Sequence, residues 1–438
     1  MSNTFGECFR VLTFGESHGR AMGVVIDGVR PGLDFDLTAI QQELDRRRPG
    51  QNRLVSPRPE KDRIEVLSGV FQGKTLGTPI ALLVTNTDQD AEAYEALRDV
   101  FRPGHADYTV LKKYGIRDHR GGGRSSGRET VARVAAGALA KRELAKEGIH
   151  IRACTVQVGT VKAQSVDFGE IEQNPLRCPD KKAAKKMEEM IRACRSEGDS
   201  VGGIVEVVAR GVPSGLGDPV FRKLDAEIAG ALMSIGGVKG VEIGEGFRAA
   251  SMQGSEHNDQ MDRKGFKTNH AGGVLGGIST GEEIRARIAV KPTPSIEREQ
   301  ATVDVSGRET RISVSGRHDV CICPRIVPVA EAMMALVLYD ALLSQRNIED
   351  AAGDLECLRR QIDSVDHRLI QLLAERDRSS GAVGRWKKKR GLAIRDRRRE
   401  TDMMEERVRW AEELGLSGEL IRSLFPHIVE ASRQSQEK

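Results

Sequence analysis

Aromatic side chains are scarce in this chain: 4% of 438 residues, with two Trp and four Tyr. That is too few for the stacking platforms that single-stranded nucleic acids need. Charge of one sign is also missing. Lys and Arg total 68 against 64 Asp and Glu, a net +4, which argues against a dedicated nucleic-acid coat. Cysteine is neither abundant nor patterned. The seven (Cys8, Cys154, Cys178, Cys194, Cys321, Cys323 and Cys357) are scattered, and the one close pair, Cys321 and Cys323, fits neither a CxxC motif nor a zinc knuckle. Reduced thiols are expected rather than a disulfide framework. No His/Cys/Asp cluster has metal-ligand spacing, so no metal centre is expected. The start of the chain lacks a basic segment followed by an apolar one, so no signal peptide is read. The longest apolar stretch, around 327–343, is broken by Glu331 and Asp340 and reads as a buried helix rather than a membrane span. A cytoplasmic protein with no membrane or nucleic-acid partner is expected.

What the chain has in excess is glycine, 47 residues, with no collagen-like or low-complexity period. Such an excess implies many tight turns and close backbone approaches. The length suggests two or three domains, and two regimes are visible. Residues 1–346 are glycine-punctuated, with short β-branched runs (Gly23–Ile26, Ile80–Val84, Ile204–Val208, Ile312–Val314) between helical segments, a mixed α/β pattern. The joint Ser344–Gly353 is polar and follows an expected helix Val329–Leu343; residues 347–353 read as a linker. From 354 to 438 the pattern is helical and charged. Leu355, Leu358, Ile362, Val365, Leu369 and Leu372 alternate at spacings of three and four, a seam that packs against another helix. The next seam position is Arg376, which is either a snorkelling end residue or a buried cation. Arg399–Leu414 and Ser417–Ser432 complete a three-helix tail.

In the first region five clusters concentrate His, Arg and Gly: Gly15–Gly19 (GESHG), Arg46–Gly50 (RRRPG), Arg102–Asp107 (RPGHAD), Arg120–Ser126 (RGGGRSS) and Gly316–Asp319 (GRHD). Arg forks onto phosphate and carboxylate, and His moves protons near neutral pH. Each cluster alone is also what a surface turn looks like; together they argue for a large anionic ligand, or two. RGGGRSSGRET leads into an expected apolar helix, Val131–Glu147, whose start suits a phosphate. It is neither a Walker A loop nor a dinucleotide fingerprint, and no GxSxG elbow exists. The residues describe an anion-binding, His-assisted, non-hydrolytic α/β enzyme.

The segments FGESHG, LDRRRPG, DVFRPGHADYT, RDHRGGGRSSGRET, VKGVEIGEGF, NHAGGVLGGIS, KPTPSI and GRHDVC resemble chorismate synthase, in order and across essentially all of residues 1–346. The resemblance implies a β-α-β sandwich assembling as a homotetramer. It implies an anti-1,4-elimination of phosphate from 5-enolpyruvylshikimate 3-phosphate to give chorismate, needing reduced FMN without net redox change. It also implies site residues. Arg47 and Arg53 border the phosphorylated substrate or, in flavin-reducing members, NADPH. Arg124, Ser125, Ser126, Gly236, Gly237, Gly276, the Lys291–Pro292–Thr293–Pro294–Ser295 segment and Arg317 hold the flavin. His18 and His105 are candidate acids, one for the leaving phosphate and one for the reduced flavin, and Asp319 manages the flavin N5 proton. The chain departs from the family pattern at Gly236–Gly237, where Asn-Ala is common, and at Pro294, which replaces a Ser.

The tail resembles the all-helical class of chorismate mutase through LRRQIDSVDHRLIQLLAER, Lys387, RDRRRE (395–400) and ASRQSQ (431–436). That implies a Claisen rearrangement of chorismate to prephenate without cofactor. Arg359 and Arg376 would pair with the two carboxylates, Lys387 and Gln436 with the ether oxygen, and Glu400 with the ring hydroxyl; Asp396, Arg399 and Ser432 complete the matching pocket positions. The product of the first domain is then the substrate of the second, and mutase dimers would sit within the oligomer. Two other readings stand beside this one: a regulatory or dimerising tail, and a nucleic-acid contact through Arg385–Arg390 and Arg395–Arg399.

Overall fold

The computed structural model describes residues 3–51, 60–87, 92–314, 316, 318–353 and 355–437. It divides into two compact units, Met1–Arg346 and Asn347–Lys438.

Two five-stranded antiparallel sheets frame the first unit. One orders its strands Thr4–Phe5, Arg10–Phe14, Ala21–Asp27, Ile80–Thr85, Ile64–Ser68; the other Val238–Ile243, Ile284–Val290, Gly203–Arg210, His150–Val158, Val161–Lys162. Three of the four expected β-branched runs are therefore central strands. The fourth lies further along than the strand it marks. Glu309–Ile312 pairs with Gln300–Val303 in a separate ribbon, and Val314 instead joins a small core with Tyr94 and Leu97. The α-helices of this unit are α1 (Leu37–Arg47), α2 (Asp107–Tyr114), α3 (Thr130–Lys146), α4 (Lys181–Ser196), α5 (Leu224–Met233), the short α6 (Gly254–His257) and most of α7 (Cys323–Gly353), whose residues from Asn347 on fall in the second unit.

Helices α3 and α7 lie between the sheets and make the sandwich. Helix α3 reads TVARVAAGALAKRELAK and buries residues on every side, as a helix packed all round must. Its small residues let α7 come close: a Cβ added at Gly137 would sit 2.4 Å from Cβ of Ala332. The two charges that break the apolar run of α7 are both buried and both satisfied. Asp340 accepts from the amides of Glu7, Cys8 and Phe9 at 3.0, 2.7 and 2.8 Å, so it fixes the N-terminal strand region. Glu331 accepts from Arg46 (2.7 Å), Lys141 (2.5 Å) and the Ala153 amide (3.0 Å), joining α1, α3 and the second sheet. Burial would raise its carboxyl, but Lys141 and Arg46 hold it well below the usual range. Among the described residues α7 is the one helix long and apolar enough to cross a membrane, and its apolar window is 94% buried inside the protein.

Helix α7 runs past the expected stop at Leu343 to Gly353. The joint 344–353 contains no Pro and several good helix formers (Gln345, Arg346, Glu349, Ala351, Ala352), so nothing local ends the helix at Leu343.

The second unit holds α8 (Leu355–Lys389), α9 (Arg397–Glu413) and α10 (Gly418–Glu437), three helices as expected. Asp396 caps α9 by accepting from the Arg399 amide at 3.0 Å. Helix α10 lies directly on α8 where α8 turns small-residued: a Cβ at Gly384 would come within 2.7 Å of Cα of Gln436.

Candidate active sites

The first unit carries a cleft of about 670 Å³ whose wall is built from loops far apart in sequence. His18 sits in the turn between the strands Arg10–Phe14 and Ala21–Asp27. Asn86 ties that turn down, donating to the carbonyls of Glu16 (3.1 Å) and Gly19 (2.7 Å), and accepts from Arg128 Nε at 2.5 Å. His18 is buried, meets Ser17 Oγ through Nδ1 at 3.2 Å and stands edge-on to Tyr94. The loop before α3 passes against it. Gly121 has φ +71°, and a Cβ there would lie 2.4 Å from the His18 ring; a Cβ on Gly122 would lie 3.3 Å from Nε2 of His105. Two adjacent glycines thus let one loop touch both histidines.

Arg47 and Arg128 line the same cleft and share one carboxylate. Asp62, fully buried, accepts from Arg47 Nη2 at 2.6 Å and from Arg128 Nη1 at 2.7 Å, and Glu60 meets Arg128 at 3.0 Å. Burial lowers the Arg47 guanidinium, opposed by Asp62 and abetted by Arg325 and Arg128. Asp319 accepts from Arg325 at 2.5 Å. Lys291 donates to the Gly104 carbonyl at 2.5 Å, which brings the KPTPS segment against the RPGHAD loop. Burial, with Lys239 close by, lowers the Lys291 ammonium.

Of the first-unit residues expected at a site, the structure brings His18, His105, Arg47, Arg124, Ser125, Ser126, Gly236, Gly237, Asp319 and Lys291 through Ser295 to this one cleft. Gly276 is not among its lining residues; it sits in the hairpin of Val274–Leu275 and Ile278–Ser279. Arg53 and Arg317 lie outside the described residues. The Arg124 guanidinium is turned to the first sheet, donating to Thr13 Oγ1 at 2.6 Å and to the Gly15 carbonyl at 3.2 Å. The segment expected to run straight into the helix instead makes two 3-10 turns, Gly123–Ser125 and Gly127–Glu129, before α3 begins. Sequence reading missed Arg102, Arg128, Arg133, Arg325, Glu60 and Tyr94 as lining residues. Arg102 and Arg128 stood inside the quoted motifs; the other four carried no spacing signal.

In the second unit α8 and α10 bring Arg376 to Ser432, and Gly384 to Gln436. Arg376 donates to Ser432 Oγ and, at 3.5 Å, to the Ile428 carbonyl. The seam cation is thus half-buried against α10 rather than snorkelling free. Gln436 Oε1 is buried with no hydrogen-bond partner. Glu400 accepts from Arg433 at 3.1 and 2.8 Å, one residue along from Ser432. Lys387 bends to the Ile394 carbonyl at 2.6 Å. Of the expected pocket residues, Arg376 and Ser432 are bonded to one another through their side chains. Asp396 is engaged as the α9 cap, and Arg399 and Arg359 are exposed.

The family model for chorismate synthase matches residues 9–343. A "Chorismate synthase" from Syntrophus aciditrophicus (strain SB) is 56% identical over 349 residues, which is 79% of this chain and 99% of that protein. The chain belongs to the chorismate synthase family. A "Crystal Structure of Chorismate Synthase" aligns over 83% of this chain and 99% of that one, with a TM-score of 0.63 and 34% identity. The model for chorismate mutase type II matches residues 358–437, so a mutase domain follows the synthase domain.

The residues along the synthase cleft fit an anionic cofactor such as a flavin. The cleft's volume lies in the range of about 300–1,000 Å³ usual for small-molecule and cofactor sites. Basic side chains outnumber carboxylates along its wall. Thr293 Oγ1 is buried without a hydrogen-bond partner, a polar atom that a ligand would satisfy. A Cβ at Gly236 would meet nothing within 4 Å, so this departure from the family pattern leaves open space. Gly237 is different: with φ +93° it needs glycine, and a Cβ there would press Ile322 at 2.9 Å.

Proposed function

We propose that the synthase domain eliminates phosphate from 5-enolpyruvylshikimate 3-phosphate to give chorismate, and that the mutase domain rearranges chorismate to prephenate. The convergence of His18, His105 and paired arginines on one cleft carries this reading. In the elimination a C–O bond to phosphate breaks and a ring C–H proton is lost, with no net redox change. Reduced FMN, when bound, would supply electron density to the departing system. Arg47 and Arg128, fanned from Asp62, are set to bind phosphate and carboxylate in a desolvated wall. Of the two histidines, one protonates the leaving phosphate and the other keeps the flavin neutralised. Asp319, anchored by Arg325, offers a carboxylate for proton exchange. Ser125, Ser126, Gly236, Gly237 and the Lys291–Ser295 segment form the flavin side. Arg124, engaged with Thr13 and Gly15, shapes that wall.

For the rearrangement no covalent step is needed; the pocket selects a compact conformer and stabilises a polarised transition state. Arg376 pairs with one carboxylate in place of its bond to Ser432. Gln436, whose Oε1 lacks a partner, and Lys387 serve the ether oxygen, where negative charge develops. Glu400 holds the ring hydroxyl. The seam residues Ile362, Val365, Leu369 and Leu372 are 51–62% exposed in the single chain. A second copy would cover them, giving mutase dimers within a synthase tetramer.

Anaerobic incubation with the enolpyruvyl substrate and reduced FMN tests both steps. Phosphate, chorismate and then prephenate should appear. No phosphate would sink the first assignment; chorismate that accumulates without prephenate would sink the second and leave the tail regulatory.

A further inference from the structure

His105 is held by a neighbour that does not line the cleft. Asp107, the first residue of α2, is buried and sits at the centre of a cationic knot. Its Oδ2 accepts from Arg102 Nε at 2.8 Å and from the Arg102 amide at 3.1 Å; its Oδ1 accepts from Arg102 Nη2 at 2.8 Å and meets Arg117 Nη1 at 3.0 Å. The same Oδ1 lies 3.0 Å from His105 Nδ1. Arg102 Nη2 also stands 3.1 Å from that nitrogen, so two assignments compete: Nδ1 donates to Asp107, or accepts from Arg102.

Counting protons decides between them. A guanidinium Nη carries two hydrogens. Those of Arg102 Nη2 go to Asp107 Oδ1 at 2.8 Å and to the Gly121 carbonyl at 2.6 Å. None is left for the imidazole. Asp107 cannot supply one: burial opposes its ionisation, but Arg102 donates to both of its oxygens and Arg117 stands at Oδ1, which holds its carboxyl well below the usual range. The hydrogen between Nδ1 and Oδ1 therefore belongs to His105. Nε2 then faces Gly122, a residue of the cleft wall. Lys291, which lines the same cleft, is bonded to the Gly104 carbonyl one residue earlier.

We propose that Asp107 is a positioning residue for the elimination: it locks His105 with its hydrogen on Nδ1, so that Nε2 is the only atom through which the ring exchanges a proton with the cleft. This rests on the reading of His105 as a proton donor. The acid form gives up the Nε2 hydrogen and relaxes to the Nδ1–H tautomer without rotating, and the same atom is reprotonated for the next turnover. Arg102 and Arg117 complete the device by keeping Asp107 ionised.

In Asp107→Asn the charge that holds the hydrogen on Nδ1 is lost, and the amide NH₂ or a freed Arg102 Nη2 hydrogen can face Nδ1, so the Nε2–H tautomer becomes available. The synthase kcat should then fall roughly 10–100-fold, as when a metal-ligating histidine loses its orienting partner, while KM changes by less than about threefold. In an His105→Ala background the same substitution should have almost no further effect on kcat, because both changes remove one function. The full-length wild-type chain with ¹⁵N-labelled histidine should show neutral His105 protonated on Nδ1, a measurement that needs no variant to fold. An Nε2–H wild-type ring, a folded Asp107→Asn with unchanged kcat, or equal losses with and without His105 would each overturn the assignment. Wild-type turnover in His105→Ala would instead overturn the donor reading beneath it.

Discussion

Arg47 and Arg376 hold a cation for a ligand in two different ways. Arg47 is 1% exposed and bonded at once to Asp62 and near Arg128, so its direction is set before any ligand arrives. Arg376 rests on a hydroxyl and a carbonyl of α10, and the apolar seam on its own helix is open. The synthase cleft is drawn from many loops of one chain and is prepared internally. The mutase unit keeps its second arginine, Arg359, exposed on the far part of α8. On the reading proposed above, one site is lined by a single chain, and the other would take its second arginine from a second copy.

The largest effect that sharpens this contrast is at the histidines. His18→Ala or His105→Ala should lower phosphate release roughly 10²–10⁴-fold, while prephenate formation from added chorismate stays unchanged. Wild-type phosphate release in both variants would remove them from the mechanism.

Prepared sites depend on buried charge, and Glu331 tests that dependence. Glu331→Gln leaves Arg46 and Lys141 with only Glu43 and Glu172 as carboxylate partners, and should destabilise the synthase unit by about 3–5 kcal/mol. The sign with pH follows from its depressed carboxyl. The stabilisation is complete above the unfolded value of ~4.3 and is lost as pH falls below it. Thermal melting between pH 7 and pH 3 should therefore show the wild type and variant converging in acid. A constant difference would show that another group carries the effect.

These partnerships explain what the sequence could and could not disclose. The Gly-His-Arg loops were readable because glycine, histidine and arginine cluster locally, and α8 because its seam repeats. Asp62 was not: its partners Arg47 and Arg128 are 15 and 66 residues away, and a single Asp in a loop has no period. Glu331 and Asp340 were read only as interruptions of an apolar run, although each joins distant elements. Asp396 stands among the pocket positions only through the family resemblance; its cap bond to the Arg399 amide is a local role that the resemblance does not disclose. Helix α7 outran its expected end because polarity alone does not stop a helix.

A smaller effect comes from the loop that serves both histidines. Gly121→Ala places a Cβ at φ +71° and 2.4 Å from the His18 ring. The left-handed conformation alone costs about 1–2 kcal/mol for a non-glycine residue, and the ring must also move. Synthase kcat should fall about tenfold with mutase activity intact; unchanged kcat would show that His18 has room to shift.

The smallest signal tests the other half of the comparison, the unfinished site. Arg359 and Arg376 stand on one unbroken helix, Leu355–Lys389, and 17 residues at ~1.5 Å each put them about 25 Å apart. No straight helix brings both guanidiniums onto one small dicarboxylate. Arg359 can serve a pocket only if that pocket belongs to a partner chain, and the exposed Ile362, Val365, Leu369 and Leu372 supply the surface by which the partner docks. Arg359→Ala and Arg376→Ala homodimers should then both be nearly inactive as mutases. In a mixed dimer one pocket receives both lesions and the other neither. Random exchange makes about half of the dimers mixed, so about a quarter of wild-type mutase activity should return. Phosphate release should not change in any of these mixtures, since neither Arg359 nor Arg376 is among the residues that line the synthase cleft. If verified subunit exchange restores no mutase activity, the shared pocket is wrong, and the second unit would have to complete its site without the arginine that its sequence placed there.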